Sequence, residues 1–387
     1  LVGSEMCIRD RIGVYESLAT LESNSWTIGN QLVSGFYPNR IPNPDLKWEK
    51  TGQFDIGFDL GLFNNRLRLT ADYYYKKTTD LLYNVAIPSA SGYDSMLKNI
   101  GSVQNKGYEL SIESDNLSGA FSWTTAFNIS FNRNKVLELG GETYKDVGTY
   151  DDHLKTSDIR RLIVGQPIGV FYGYRFDGIF QNEAECAQQT SSPSPIGVGL
   201  RRYKDLNGDG KIDATNDREI LGDANPKFFG RMTNTFAYRG FELNVFLQYS
   251  YGNKIFNYNA MELESPTGGQ NVYQDLVNRW TPTNPSNEYQ KATTNRNNIV
   301  SDRFIEDGSF LKLKTVSLSY SFPKLNWKHI GGLRLYVTGQ NLLTWTKYRG
   351  YDPEVSYRGA STLEAGEDFG GYPQARTFMF GIKLDIK

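Results

Sequence analysis

Residues Gln53–Lys76 read QFDIGFDLGLFNNRLRLTADYYYK, and their alternation decides the fold. Phe54, Ile56, Phe58, Leu60 and Leu62 fall on one side of an extended chain, with Gln53, Asp55, Gly57, Asp59 and Gly61 on the other. After Asn64-Asn65, a pair that suits a tight turn, Leu67, Leu69, Ala71, Tyr73 and Tyr75 repeat the apolar side. Arg66, Arg68, Thr70, Asp72, Tyr74 and Lys76 repeat the polar one. A period of two marks strands with one face in an apolar medium.

The same split recurs along the chain. Tyr108, Leu110 and Ile112 oppose Glu109, Ser111 and Glu113. Phe121, Trp123, Thr125, Phe127, Ile129 and Phe131 alternate with small polar residues, and Phe241 to Tyr251 does so with Phe246 as its exception. The final run sets Phe378, Phe380, Ile382, Leu384 and Ile386 against Lys383 and Asp385. Aromatic residues make up 14% of the 387 residues, beside 38 glycines, which favours strands and tight turns over helices. No run approaches the ~20 apolar residues of a membrane-spanning helix. A net charge of -1 supplies no basic field for nucleic acid. Cys7, Cys186, His153 and His329 are too few for a convincing thiol or zinc site, and no G-x-S-x-G, Walker or H-E-x-x-H motif occurs, so the chain is not expected to be an enzyme.

Two environments demand such strands. A soluble sandwich buries one face against a second sheet. A transmembrane barrel turns it to lipid and keeps polar residues inside. Strands of ten or more residues, aromatic residues at their ends, and alternately short and long connections favour the barrel. Leu62–Arg66, Asp115–Ala120 and Tyr238–Phe241 are short; 77–105, 135–157, 253–308 and 347–372 are long. With short turns on the periplasmic side, up-down order predicts a hairpin within Ile159–Phe180, turning at Gly165-Gln166-Pro167. The expected fold is all-β, an antiparallel up-and-down transmembrane barrel represented by roughly 11–12 strands, about eleven from Trp48 to Lys387 and one more near Tyr15–Leu21. A secreted β-rich adhesin or carbohydrate-binding protein is the alternative; a water-soluble, monomeric product would distinguish it.

Leu1–Arg11, LVGSEMCIRDR, resembles the translation of a sequencing adapter. On that reading residues 1–11 are an artefact and residues 12–387 enter a larger protein part-way, so the absent signal peptide carries no information about location.

Several runs resemble the C-terminal barrel half of SusC/RagA-type TonB-dependent outer-membrane transporters of Bacteroidota. They are Asn43–Leu82, Asn99–Ser114, Phe121–Leu139, Gly165–Gln181, Tyr203–Asp213 (YKDLNGDGKID), Gly222–Gly230 (GDANPKFFG), Thr338–Val355 (TGQNLLTWTKYRGYDPEV) and Arg376–Lys387 (RTFMFGIKLDIK). The resemblance implies a barrel of about 22 strands filled by an N-terminal plug domain. It also implies a SusD-type surface lipoprotein capping the barrel, glycan or peptide cargo, and energy coupling through TonB in the cell outer membrane. The plug, the TonB-contacting segment and the signal peptide are expected to lie outside this sequence. Outer-membrane strands of this kind usually end on an aromatic residue, whereas here the last residues are Ile386 and Lys387.

Asp205, Asn207, Asp209, the Lys211 carbonyl and Asp213 have the spacing of a calcium loop, with Gly210 at its sharp turn. Asn216 stands where a bidentate Glu would close the site, so weak, structural calcium binding is the expectation; an Asx-rich turn is the plain alternative. No cofactor is otherwise required. Tyr273, Trp280 and Tyr289 in one long outer loop, and Tyr348, Tyr351 and Tyr357 in another, are candidate platforms for cargo, as against loop packing or lipoprotein contact. Asp55, Asp59, Arg66, Arg68 and Glu242 are expected to face the lumen.

Overall fold

A computed structural model describes residues 17–86, 93, 95–148, 159–265, 271–293, 298–323, 330–355, 357–359, 361 and 363–386. Residues 1–11, read as an artefact, and Tyr15 lie outside these, as do Cys7, His153 and His329. The chain opens with a hairpin, β1 (Thr20–Ile28) and β2 (Gln31–Arg40), and continues into β3 (Lys50–Leu62), β4 (Leu67–Ala86), β5 (Ser95–Leu117) and β6 (Phe121–Leu139). An excursion follows, holding β7 (Tyr144–Val147), β8 (Arg160–Ile163), β9 (Val170–Tyr174), β10 (Phe176–Ile179), the short helix α1 (Glu183–Cys186), β11 (Arg201–Tyr203) and β12 (Arg218–Asp223). The wall resumes with β13 (Phe228–Tyr238) and β14 (Phe241–Tyr251). A second excursion contains β15 (Lys254–Asn257), α2 (Tyr258–Leu263) and β16 (Ile305–Asp307). Then come β17 (Phe310–Ser321), β18 (Ile330–Thr346), a third excursion with β19 (Glu367–Asp368), and β20 (Thr377–Ile386).

Nine of these strands form one antiparallel sheet in the order β20-β18-β17-β14-β13-β6-β5-β4-β3, so every wall strand pairs with the wall strands before and after it. Register carries the alternation of each strand across the whole sheet. One lateral row runs Phe58, Ala71, Leu110, Ile129, Gly230, Tyr249, Leu311, Trp345. The next row on the opposite face runs Asp59, Thr70, Ser111, Asn128, Arg231, Gln248, Lys312, Thr344. Among the described residues no second protein layer covers the apolar face: Phe58 is 60% exposed and Phe380 81%. A sandwich would have buried both.

Aromatic rings border this face at two heights. Tyr73 packs on Tyr108 (ring centroids 5.0 Å apart), and Phe228 packs on Phe131 (5.9 Å) and Tyr251 (5.0 Å). Near the short turns Phe121 meets Phe236 at 6.4 Å and Phe241 meets Tyr320 at 4.5 Å. Phe121 and Phe131 are about ten residues apart on β6, roughly 34 Å along the strand; at the usual barrel tilt this spans about 25 Å of membrane normal, the height of a lipid-facing band. Asn234, a polar residue within this face, is nearly buried; its Oδ1 accepts from Trp123 Nε1 (2.9 Å) and Thr125 Oγ1 (2.7 Å), as a dry setting demands.

The structure corrects three sequence expectations. Residues 159–180 place no strand in the wall; β6 pairs directly with β13. The turn does form at Gly165, whose φ of +92° suits glycine, but β8 and β9 belong to a small sheet ordered β12-β9-β8-β7. Up-down order requires an even number of strands there, and zero meets that requirement. The physical reason lies in Ile159, Arg160, Arg161 and Leu162, which are buried in succession rather than alternately. Second, 77–105 is largely strand: β4 and β5 run to 20 and 23 residues, and their ladder continues where apolar alternation has stopped. Third, two strands rather than one precede Trp48. From Trp48 onward the wall has nine strands rather than about eleven, and the hairpin forms a two-stranded sheet of its own.

Leu247, on the apolar face near mid-strand, distinguishes the faces energetically. In the intact protein refolded into lipid vesicles, Leu247→Arg is expected to lower unfolding free energy by about 2–4 kcal/mol. Thr124→Lys, on the polar face, is expected to stay within about 1 kcal/mol. Equal losses in urea titrations would contradict the assignment.

Candidate functional site

The sequence Leu311-Lys312-Leu313-Lys314 sits in β17, where Leu311 and Leu313 take the apolar face and Lys312 the polar one, between Gln248 and Thr344. The Lys312 side chain is only 4% exposed, and an ammonium in that position requires anionic partners. They come from Tyr351-Asp352-Pro353-Glu354 of the third excursion, which lies against the wall. Lys312 Nζ donates to Asp352 Oδ1 at 2.5 Å and Glu354 Oε2 at 2.6 Å. Lys314 Nζ donates to Glu354 Oε2 at 2.7 Å and to Gln374 Oε1 at 3.0 Å, and Gln248 Nε2 donates to Glu354 Oε1 at 2.9 Å. Burial pushes the Glu354 carboxyl up, but the two ammonium groups outweigh it and hold it below the usual range.

A bulge shapes the same place. The β17–β18 register slips between Leu313 and Thr315, and Asn341 opposite takes φ +53°, a left-handed conformation that Asn tolerates. Its amide donates to the Ala375 carbonyl at 3.0 Å, fixing the segment that leads into β20. A pocket of about 320 Å³ opens here, lined by Lys312, Asn341, Thr344, Tyr351, Gln374 and Arg376 among others.

The three excursions pack together around their own core of Ile159, Phe171, Phe256, Tyr258, Met261 and Phe304. Fully buried Arg160 of the first pairs with Glu367 of the third at 3.0 Å and also donates to the Gly169 and Ala365 carbonyls. Glu264 at the end of α2 gathers Arg303 (2.7 Å), Arg349 (3.2 Å) and Arg201 (3.9 Å), and Arg349 reaches on to Glu306 at 2.9 Å. Because these carboxylates are enclosed, removing one partner would strand a charge.

Five of the six candidate aromatic residues belong to this packing. Trp280 and Tyr289 are buried; Trp280 Nε1 donates to Gln181 at 3.1 Å, and the Arg303 guanidinium lies 4.9 Å from the Tyr289 ring centroid. Tyr348 is buried with its hydroxyl donating to Asp368, and burial together with that carboxylate raises its pKa. Tyr273 lies 5.9 Å from Arg349, and Tyr357 packs on Phe369 at 5.4 Å. Tyr351 differs: it is 79% exposed and borders the pocket.

The calcium-like loop folds as a run of Asx turns. Asp205 accepts from the amides of Gly208 and Gly210, Asp209 from that of Lys211, and Asp213 from those of Thr215 and Asn216. These amide bonds hold both carboxyls of Asp205 and Asp213 below the usual range. Among the described residues no three His, Cys, Asp or Glu side chains gather to hold a metal, and no role is derived from this loop. Cys186, the one cysteine among the described residues, is buried and unbonded to sulfur.

The charged residues expected to face the lumen do lie on the polar face, mostly paired. Arg68 meets Glu113 at 2.8 Å, Arg334 meets Glu242 at 2.6 Å, Asp59 accepts from Thr70 at 2.6 Å, Asp55 from Gln53 at 2.7 Å, and Arg66 donates to the Asp115 carbonyl at 3.0 Å. Sequence reasoning missed Lys312, Lys314, Asp352 and Glu354. The signal was present in the parity of LKLK, but their partners are about 40 residues distant and no spacing rule links them.

Lys312→Met should therefore loosen the 351–355 segment, exposing its amides to exchange in the intact protein. A carboxyl with lowered pKa contributes stability above its ordinary value of about 4.3 and loses it as pH falls through the lower folded value. In the wild type this loosening is expected only well below pH 4.3 or so; without Lys312, burial dominates and the transition moves upward in pH. Unchanged exchange in Lys312→Met at neutral pH would contradict the clamp.

Residues 15–177 match the family model described as TonB dependent receptor-like, beta-barrel. The chain is 40% identical over 96% of its length to TonB-dependent receptor P3 of Formosa agariphila, and 29% identical over 89% to TonB-dependent receptor SusC of Bacteroides thetaiotaomicron. It covers 38% of the former and 32% of the latter, so it spans well under half the length of these curated relatives. Among solved structures it is similar to the RagAB peptide transporter, with a TM-score of 0.78 and 26% identity, covering 96% of this chain and 39% of that one. Across wall strands and excursions alike, the chain is thus similar to the SusC/RagA-type TonB-dependent receptors of the outer membrane.

Proposed function

We propose that the protein to which this chain belongs imports a nutrient, a glycan or an oligopeptide, across the outer membrane with energy delivered through TonB. Residues 12–387 would form the C-terminal part of its barrel. The observation carrying this reading is the pair of uninterrupted faces across nine strands, apolar outside and hydrogen-bonding inside, with polar side chains and a folded-in loop lining the inner side. Such a wall passes solute past hydrogen-bonding groups while its reverse is solvated by lipid. No bond chemistry is needed; the family is one of receptors and transporters rather than enzymes.

Two partners follow from the same reading. TonB would act on a plug domain, and a SusD-type lipoprotein would cap the side where the three excursions pack together. The RagAB neighbour, described as a peptide transporter, supports the oligopeptide class, and glycans remain the second class that the SusC/RagA resemblance implies. A secreted adhesin would require the exposed Phe and Ile rows to be covered by protein or avoided altogether.

Deletion of the gene in its native host, compared with loss of TonB, tests the proposal. Cells lacking either are expected to fail alike in depleting one nutrient pool, oligosaccharides or oligopeptides, and a plasmid-borne copy should restore uptake. Undiminished uptake of every pool in the deletion strain, or uptake independent of TonB, would contradict import.

A further inference from the structure

The geometry points to the pocket between Arg376 and Tyr351 as a site for a carboxylate carried at the end of the cargo. This rests on the import reading and specifies the chemistry it selects. The neighbouring cluster neutralises itself, since Lys312 and Lys314 are matched by Asp352 and Glu354. Arg376, exposed and lining the same pocket, makes no ion pair among the described residues and leaves the site with one cation in excess. Its planar guanidinium presents a fork of donors suited to a carboxylate.

The two acidic residues do not oppose such a ligand, because each already receives a lysine ammonium. Tyr351 supplies an exposed ring for the ligand's apolar flank, and Thr344 and Gln374 add polar atoms to the lining. About 320 Å³ is at the low end for ligand sites and suits one residue or one sugar unit, so the pocket takes an end group rather than an oligomer. The Asn341 bulge and its bond to Ala375 hold the backbone beside Arg376 in place, so the cation is set by the wall.

Methyl esterification removes the ligand's charge and leaves its shape nearly intact, whether the carboxylate belongs to a peptide C-terminus or a uronic acid. The test uses the purified intact protein with two probe pools, a casein digest and oligogalacturonate, each as free acid and methyl ester, with retained species read by mass spectrometry. The free acid of one pool should be retained about tenfold more than its ester, and Arg376→Gln should reduce acid retention to the ester level while leaving the ester unchanged. Which pool responds identifies the carboxylate's source. Equal retention of acid and ester, acid preference surviving in Arg376→Gln, or retention of neither form from either pool would overturn the proposal. Acid-selective binding without TonB-dependent uptake would sink only the import reading.

Discussion

Hydrocarbon offers backbone N–H and C=O groups no partner, so a chain crossing it must satisfy them within its own sheet. The rest of this structure follows from that constraint. Nine wall strands pair in sequence order, so no wall strand between β3 and β20 has a free edge. The constraint extends to side chains: Asn234, within the apolar face, has its Oδ1 engaged by both Trp123 and Thr125. β3 and β20 pair on one side only, and a closed barrel must supply partners for the other.

Committing the wall to this ladder moves the distinctive chemistry elsewhere. Polar side chains collect on the inner face, and connections on one side are free to grow because they lie beyond the lipid. There they build a core of their own, tied by Arg160–Glu367 and by three arginines about Glu264. Desolvation takes back much of what such attractions give, so these pairs fix how the excursions sit against one another more than they add stability. The third excursion returns to the wall through Asp352 and Glu354 and so brings Tyr351 to the inner face.

The wall was legible because lipid imposes a rule that each strand obeys locally: Phe54 to Leu62 and Phe121 to Phe131 announce their faces without knowledge of their partners. Phe246, the exception, lies opposite Thr233 and Thr315 beside a register slip, which no local pattern could reveal. The excursions were not legible for the opposite reason. Arg160 and Arg161 look like surface residues until their carboxylates arrive from Glu367 and Asp146. Tyr348 and Tyr351 are three residues apart in one aromatic run, yet one is buried on Asp368 and the other exposed. Aromatic composition finds the neighbourhood of a site; burial, set by distant chain, decides which ring is available.

The central claim, lipid on one face and an aqueous interior on the other, is tested most directly by scanning β14. Single cysteines at 241–249 of the intact protein in liposomes would be spin-labelled and relaxed by oxygen, which partitions into lipid, or by a water-soluble nickel chelate. Positions 241, 243, 245, 247 and 249 should respond to oxygen and positions 242, 244, 246 and 248 should not, a strict period of two. Equal oxygen response along the strand, or chelate access at the odd-numbered positions, would contradict the account.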